Sequence, residues 1–201
     1  MKISLFPLDV VLFPGAPLPL HIFEERYKKM IGECLEQNTA FGVVRAQQDG
    51  LAVIGCMARI VRVMQRYDDG RLDILCQGEQ RFEIEMLDSS LEYLQADVLL
   101  VEDEGGPATR EQREQCAALH FETMALAGME MEAAHLSLDE PISFQLASAL
   151  PADLGFKQQI LSLRSDAERT SHLLQFYEAV LPKLRGSAAA QQGSKKNGRV
   201  M

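Results

Sequence analysis

Apart from one helical run near its start, this chain changes its hydrophobic period at the acidic and glycine-rich stretch Glu102-Asp103-Glu104-Gly105-Gly106-Pro107. Ahead of it, apolar residues alternate or run in short β-branched blocks; behind it they recur three and four positions apart. Strands followed by helices, with little interleaving, exclude an all-α, an all-β or a doubly wound fold. They predict an α+β architecture.

Strand signals fall on residues 2–6, 41–45, 54–65, 71–87 and 93–102. Asp68-Asp69-Gly70 marks a tight hairpin, since its glycine can take the positive φ that such turns need. The return strand is expected to bend at Gly78. Pro7, Pro14, Pro17 and Pro19 stud residues 7–19, which should be extended or turned rather than mid-sheet, with 18–22 a short edge strand. Tyr27, Met30, Ile31, Cys34 and Leu35 give one amphipathic helix over 24–37. The whole reads as a small barrel or half-barrel over residues 1–104, with one helix.

Thr109 and Gln112 form a capping box for a helix over 109–128. A loop that starts acidic follows at 130–138. Asp139 then caps a helix ending near Leu150, where Pro151 follows. A short helix is expected at 154–163. Ser165-Asp166-Ala167-Glu168 opens a last one, with Leu173, Leu174, Tyr177, Val180, Leu181 and Leu184 on one face and Gly186 as its stop. Residues 105–185 are therefore a helical lobe, and 186–201 a flexible polar tail too poor in apolar residues to order itself.

The 201 residues carry a net charge of −9, and Lys195, Lys196 and Arg199 lie in a tail without acids, so the body is more acidic still. Such a body repels phosphate backbones and disfavours generic nucleic-acid binding. Cys34, Cys56, Cys76 and Cys116 form no Cys-x-x-Cys pair and have apolar neighbours, as expected of reduced, buried thiols. The opening residues lack a signal-peptide pattern and no apolar run suffices to span a bilayer, so a cytoplasmic location is expected. A phosphate-binding loop, a Gly-x-Gly-x-x-Gly turn and a His-Glu-x-x-His helix are all missing, and His21, His120, His135 and His172 are scattered. The expectation is a non-enzyme with no metal and no cofactor.

Two neighbouring segments are unusual. Leu5-Phe6-Pro7-Leu8-Asp9-Val10-Val11-Leu12-Phe13-Pro14-Gly15 is followed by Leu18-Pro19-Leu20-His21-Ile22-Phe23-Glu24-Glu25-Arg26-Tyr27. Together they resemble the opening of the N-terminal, substrate-recognition domain of Lon proteases. Gly55-Cys56-Met57-Ala58-Arg59-Ile60, Gly78-Glu79-Gln80-Arg81-Phe82, and Leu150-Pro151 with Lys157-Gln158-Gln159-Ile160-Leu161 are weaker echoes of the same family. The resemblance covers residues 1–185. It implies a PUA-like β pseudo-barrel followed by a helical bundle, and a domain that captures unfolded or tagged proteins for an ATPase and a Ser-Lys protease. Neither of those follows in this chain, so ATP hydrolysis and peptide cleavage are not expected of it.

The functional expectation is a non-catalytic module that weakly captures unfolded or exposed peptide segments, alone or with a separate protease or adaptor partner. Pro17, Leu18, Pro19, Leu20 and His21 are the candidate groove, because a proline-stiffened loop loses little entropy on binding. Glu24, Arg26 and Tyr27 are expected to structure the loop. Leu5, Phe6, Leu12, Phe13, Ile22 and Phe23 should fill the core. One alternative is RNA binding through Arg59, Arg62, Arg66 and Arg71, with Arg62 and Arg66 on one strand face. Another is an adaptor that holds one defined protein through its helical lobe. Oligomeric state is left open.

Overall fold

The computed structural model describes residues 1–129 and 136–197, with side chains through residue 188. Residues 130–135 of the acidic loop and the end of the tail lie outside the described residues. The chain forms two compact units. The first contains Met1–Asp103 together with Pro151–Arg164; the second contains Glu104–Leu150 and the chain from Ser165.

The first unit is built from β1 (Lys2–Leu8), β2 (Pro17–Ile22), α1 (Glu25–Gln37), β3 (Phe41–Gln47), β4 (Gly50–Leu51), β5 (Ile54–Arg66), β6 (Leu72–Asp88), β7 (Gln95–Val101) and one later helix, α4 (Leu154–Ser162). Strands β1, β7, β6, β5 and β3 are neighbours in that order, and β3 pairs back onto β1 in parallel, with Leu5 opposite Gly42. The five strands thus close a ring, which removes their exposed edges. β2 and β4 are appended to it.

Inside the ring lie Ile3, Leu5, Val44, Ala52, Phe82, Ala96 and Val98. Phe82 is the largest of these, and two glycines make its space. A Cβ at Gly42 would stand 2.7 Å from Phe82 Cζ, and one at Gly55 only 2.4 Å away. β1 runs through Pro7, further than the sequence predicts. Pro7 can sit there because β7 pairs with β1 only at Lys2, Ile3 and Ser4, so the missing N–H falls where that edge is open.

β6 is long enough to serve two neighbours on one edge. Leu72–Gln77 pair with β2, and Arg81–Asp88 with β7. Gly78 lies between them, where the loop after β1 crosses the strand. Gly15 N–H donates to Gly78 O at 2.8 Å and Gly78 N–H to Ala16 O at 2.9 Å. A Cβ on Gly78 would lie 2.2 Å from the Phe13 carbonyl oxygen, so a side chain is excluded by the close approach of two backbones.

α4 was assigned from sequence to the helical lobe, yet it clusters with the barrel unit. Arg81, only 3% exposed, donates through Nη1 to the carbonyls of Leu161 at 2.8 Å and Leu163 at 2.6 Å, and through Nη2 to Asp103 at 2.6 Å. The cation thereby satisfies the orphan carbonyls at the negative end of α4.

The second unit contains α2 (Arg110–Leu126), α3 (Ser143–Ala149) and α5 (Asp166–Asn197). The Thr109–Gln112 capping box is present as read from sequence. Asp139 is not the cap of α3: the helix begins after Pro141 with Ile142 in the cap position, and Asp139 pairs with Arg110 at 3.2 Å. The residue before a proline is steered out of the helical region, which delays the start. α5 passes Gly186 and continues to Asn197, because the alanines and glutamines beyond it favour helix and no proline follows Pro182.

Within this unit His120 is fully buried, and its Nδ1 lies 2.7 Å from the Tyr177 hydroxyl. Burial depresses its pKa from 6.5 to about 4. Between those values the unfolded chain takes up a proton that the folded one refuses. Stability is therefore full above pH 6.5 and falls as the pH drops toward 4, by on the order of 3 kcal/mol. Urea melts at pH 7 and pH 4.5 should show this loss, and His120→Gln should flatten that part of the pH profile.

Candidate functional site

A strand shows alternate residues to opposite faces, so β2 cannot present all five of its candidate residues together. Pro17, Pro19 and His21 are exposed; Leu18 and Leu20 are half-buried and Ile22 is buried. The outward set lies opposite Gln77, Leu75 and Asp73 of β6, and the inward set opposite Cys76, Ile74 and Leu72, which are buried. The predicted groove is thus divided between an outer face and the packed underside of the strand.

The outer face is extended by a residue that sequence reasoning placed in the core. Phe23 is 60% exposed, because Ile22 takes the inward position and the next side chain points away. Its ring stacks on His21 at a centroid distance of 6.0 Å, and Tyr67 meets His21 edge-on at 5.9 Å. Asp73 fixes this row. His21 Nδ1 lies 2.5 Å from its Oδ1, and the Tyr67 hydroxyl donates to Oδ2 at 2.7 Å. These two hydrogen bonds, from His21 first and then Tyr67, hold the Asp73 pKa below the usual carboxylate range. Leu5, Phe6, Leu12, Phe13 and Ile22 are buried as expected.

The three residues expected to structure the loop are in contact at the start of α1. Glu24 is the N-cap by backbone conformation, and its carbonyl accepts from the N–H of Tyr27 at 3.0 Å and Lys28 at 2.9 Å. Its carboxylate accepts from Arg26 Nε at 2.9 Å. Arg26 lies over the Tyr27 ring at 4.6 Å, and Tyr27, buried, packs on Phe6 at 4.1 Å. Lys28 then ties α1 to the hairpin tip, donating to the Asp69 carbonyl at 2.9 Å.

β2 pairs with β6 alone among the described residues, which leaves its other edge open. That edge does not suit an added strand. A proline in a paired strand turns its nitrogen away from its partner, so Pro17 and Pro19 remove two donors from the free side. Recognition here would use side chains rather than a main-chain ladder.

The arginine cluster does not survive as one surface. Register shifts between Ile60 and Arg62 and between Val63 and Gln65 insert extra residues into β5. Arg62 pairs with Leu75 and Arg66 with Leu72, so four residues of β5 span three of β6. Leu75 and Leu72 face opposite ways, and Arg62 and Arg66 with them. This corrects the reading of one shared face, which assumed an unbroken ladder. Arg59 is paired with Glu79, and Arg71 with Asp69 at 2.7 Å. The residues at the shifts, Val61 and Met64, are 50% and 44% exposed, which makes this end of β5 more apolar instead.

All four cysteines are buried and free. Burial pushes the thiols of Cys56, Cys76 and Cys116 up to about 12, which keeps them protonated and unreactive. Among the described residues, no group of three or more His, Cys, Asp or Glu is placed to hold a metal ion. Among the same residues no helix is long and apolar enough to cross a membrane.

Comparison with known proteins gives a consistent picture. The profile of a family described as the ATP-dependent protease La (LON) substrate-binding domain matches residues 2–178. The Lon protease of Parabacteroides distasonis is 33% identical over 110 residues, which are 50% of this chain and 13% of that protein. The Lon protease of Amoebophilus asiaticus is 26% identical over 183 residues, 83% of this chain and 22% of that protein. The chain therefore spans well under a third of the length of these relatives. Among solved structures, a Lon N-terminal domain protein from Xanthomonas campestris aligns with a TM-score of 0.70 at 26% identity, covering 87% of this chain and 98% of that one. The N-terminal domain of a Mycobacterium avium complex Lon protease shares the fold, with a TM-score of 0.64 at 20% identity over 89% of this chain and 98% of its own.

Proposed function

Since this chain belongs to the family of ATP-dependent protease La (LON) substrate-binding domains, we propose that it is a cytoplasmic, non-catalytic protein-recognition module that weakly captures unfolded or exposed peptide segments. The observation that carries this reading is the row Phe23, His21 and Tyr67, in which two aromatic rings are left in solvent on either side of an imidazole at the end of a proline-stiffened strand. Pro17 and Pro19 continue the row, and Leu18 and Leu20 support it from beneath. His21 and Tyr67 are pinned to Asp73, so those two rings lose little conformational freedom when a client lies across them.

The scale suits transient contact. Covering about 400 Å² of apolar surface is worth roughly 10 kcal/mol gross. Association and ordering costs of several kcal/mol leave an affinity in roughly the micromolar to millimolar range. The other partners open to such a module, a separate protease or an adaptor, would meet it while a client is held.

The test is titration of a reduced, carboxymethylated test protein into the wild-type chain and into the double variant Phe23→Ser/Tyr67→Ser. Both sites are exposed, so the circular dichroism spectrum should stay native. Client affinity should fall about tenfold or more, the loss expected when aromatic anchors are truncated. Affinity unchanged within twofold would sink the reading.

A further inference from the structure

A second concave site lies in the barrel unit, apart from the β2 face. It is a cavity of about 610 Å³, with walls drawn from the start of β1, the last turns of α1, β5 and the segment entering β7. That volume suits a small organic molecule or one long side chain. Its apolar wall includes Ile3, Met57 and Leu91, and its polar wall includes Ser4, Glu33, Gln37 and Tyr93.

The charges of the lining are unequal in one respect. Lys2, Lys29 and Arg59 all reach the cavity, but each is paired with an acid outside it: Lys2 with Asp88, Lys29 with Glu92 at 3.9 Å, and Arg59 with Glu79; Met1 also lines it, and its N-terminal ammonium donates to the Val98 carbonyl at 2.8 Å. Glu33 is the one acid of the lining. Among the described residues its carboxylate has a single side-chain partner, the neutral Tyr93 hydroxyl, which donates to Oε2 at 2.5 Å. That bond leaves Oε1 free to accept. α1 also ends at this cavity with no basic residue in its last turn, and its C-cap carbonyl, that of Asn38, accepts from Arg59 Nη1 at 3.2 Å. A chain of net charge −9 adds a long-range negative field.

We propose that this cavity binds an organic cation, a primary ammonium or guanidinium group, with Glu33 as its counter-ion. The ammonium donates to Glu33 Oε1 while Tyr93 holds Oε2, and the aliphatic part of the ligand lies against Ile3, Met57 and Leu91. The same group could arrive on a free amine or on a Lys or Arg side chain of a peptide. The site does not depend on the Phe23 and Tyr67 row.

The test follows backbone amide shifts of Ser4, Glu33, Asn38 and Tyr93 by NMR at pH 7. The probes are n-butylammonium, its neutral counterpart n-butanol, and the blocked tripeptides Gly-Lys-Gly and Gly-Gln-Gly. Butylammonium should shift these amides saturably and butanol should not. Glu33→Gln should weaken butylammonium by about tenfold or more, the loss of one charge-assisted hydrogen bond, whereas Phe23→Ser/Tyr67→Ser should leave it unchanged. Binding of the Lys tripeptide at the same amides supports a peptide-borne cation; binding of butylammonium without it supports a free amine. Equal shifts from butylammonium and butanol, full binding by Glu33→Gln, or no shifts with any cation would overturn the proposal.

Discussion

Replacing Arg81 by alanine is expected to destabilise the barrel unit by about 3–5 kcal/mol, the range for removing one partner of a buried, charge-assisted network. The guanidinium makes three short hydrogen bonds, to the carbonyls of Leu161 and Leu163 and to the carboxylate of Asp103. Alanine would remove one donor from the Leu161 and Leu163 carbonyls and one cation from the Asp103 carboxylate. The lost contacts to α4 would be only partly replaced, since Gln158 still donates to the Ile54 carbonyl at 2.9 Å and Arg164 to Glu83 at 2.7 Å. Urea unfolding should show a lower midpoint. Hydrogen exchange should show the amides of 154–162 losing protection before those of β5 and β6. Lysine should rescue little, because one ammonium cannot reach three acceptors in the forked geometry that arginine offers.

Phe82→Ala should cost a similar amount, about 3–5 kcal/mol, by emptying the centre of the strand ring. Phe82 is fully buried, and its ring occupies the space that Gly42 and Gly55 leave. The same geometry predicts the coupling. Gly42→Ala alone forces a Cβ into Phe82, Ile3 and Leu5 at 2.7–2.8 Å and should itself be destabilising. Combined with Phe82→Ala it should cost less than the sum, because the new methyl then fills part of the void. Thermal or urea melts of the two single variants and the double variant measure this, and strict additivity would contradict the packing described.

Much of the fold is legible in local chemistry. Asp68-Asp69-Gly70 makes the hairpin, with Gly70 at φ 82°, and Thr109 with Gln112 makes a capping box. The helical period of Tyr27, Met30, Ile31 and Cys34 delivers the buried face of α1. In the motif Gly78 to Phe82 each singular residue turns out to have a long-range reason. Gly78 admits a crossing loop, Arg81 caps a helix some eighty residues later, and Phe82 fills the ring. A pattern can be recognised as one block in sequence while its causes lie far away along the chain.

What was not legible is mostly phase. An extra residue in a strand leaves no compositional mark, so Arg62 and Arg66 read as one face although the shift at Val63/Gln65 separates them. The two faces of the candidate groove were hidden for a related reason: a proline-rich segment read as a loop has no alternation, whereas β2 is a strand and divides Pro17, Pro19 and His21 from Leu18 and Leu20. Phe23 follows, since nothing in its own type tells a core ring from an exposed one. The Glu33 cavity had no local signal at all, because its walls come from segments as far apart as Lys2 and Gln95.

The placement of α4 with the barrel has a consequence for any attempt to take the molecule apart. The polypeptide passes from one unit to the other at 103/104, returns at 150/151 and leaves again at 164/165. Residues 104–150 are thus an insertion within the barrel unit and not the start of a separable C-terminal half. A fragment cut at the acidic, glycine-rich stretch, where the sequence most invites the cut, would contain Arg81 but not the helix end that it caps. A fragment that keeps this unit whole has to include Pro151–Arg164.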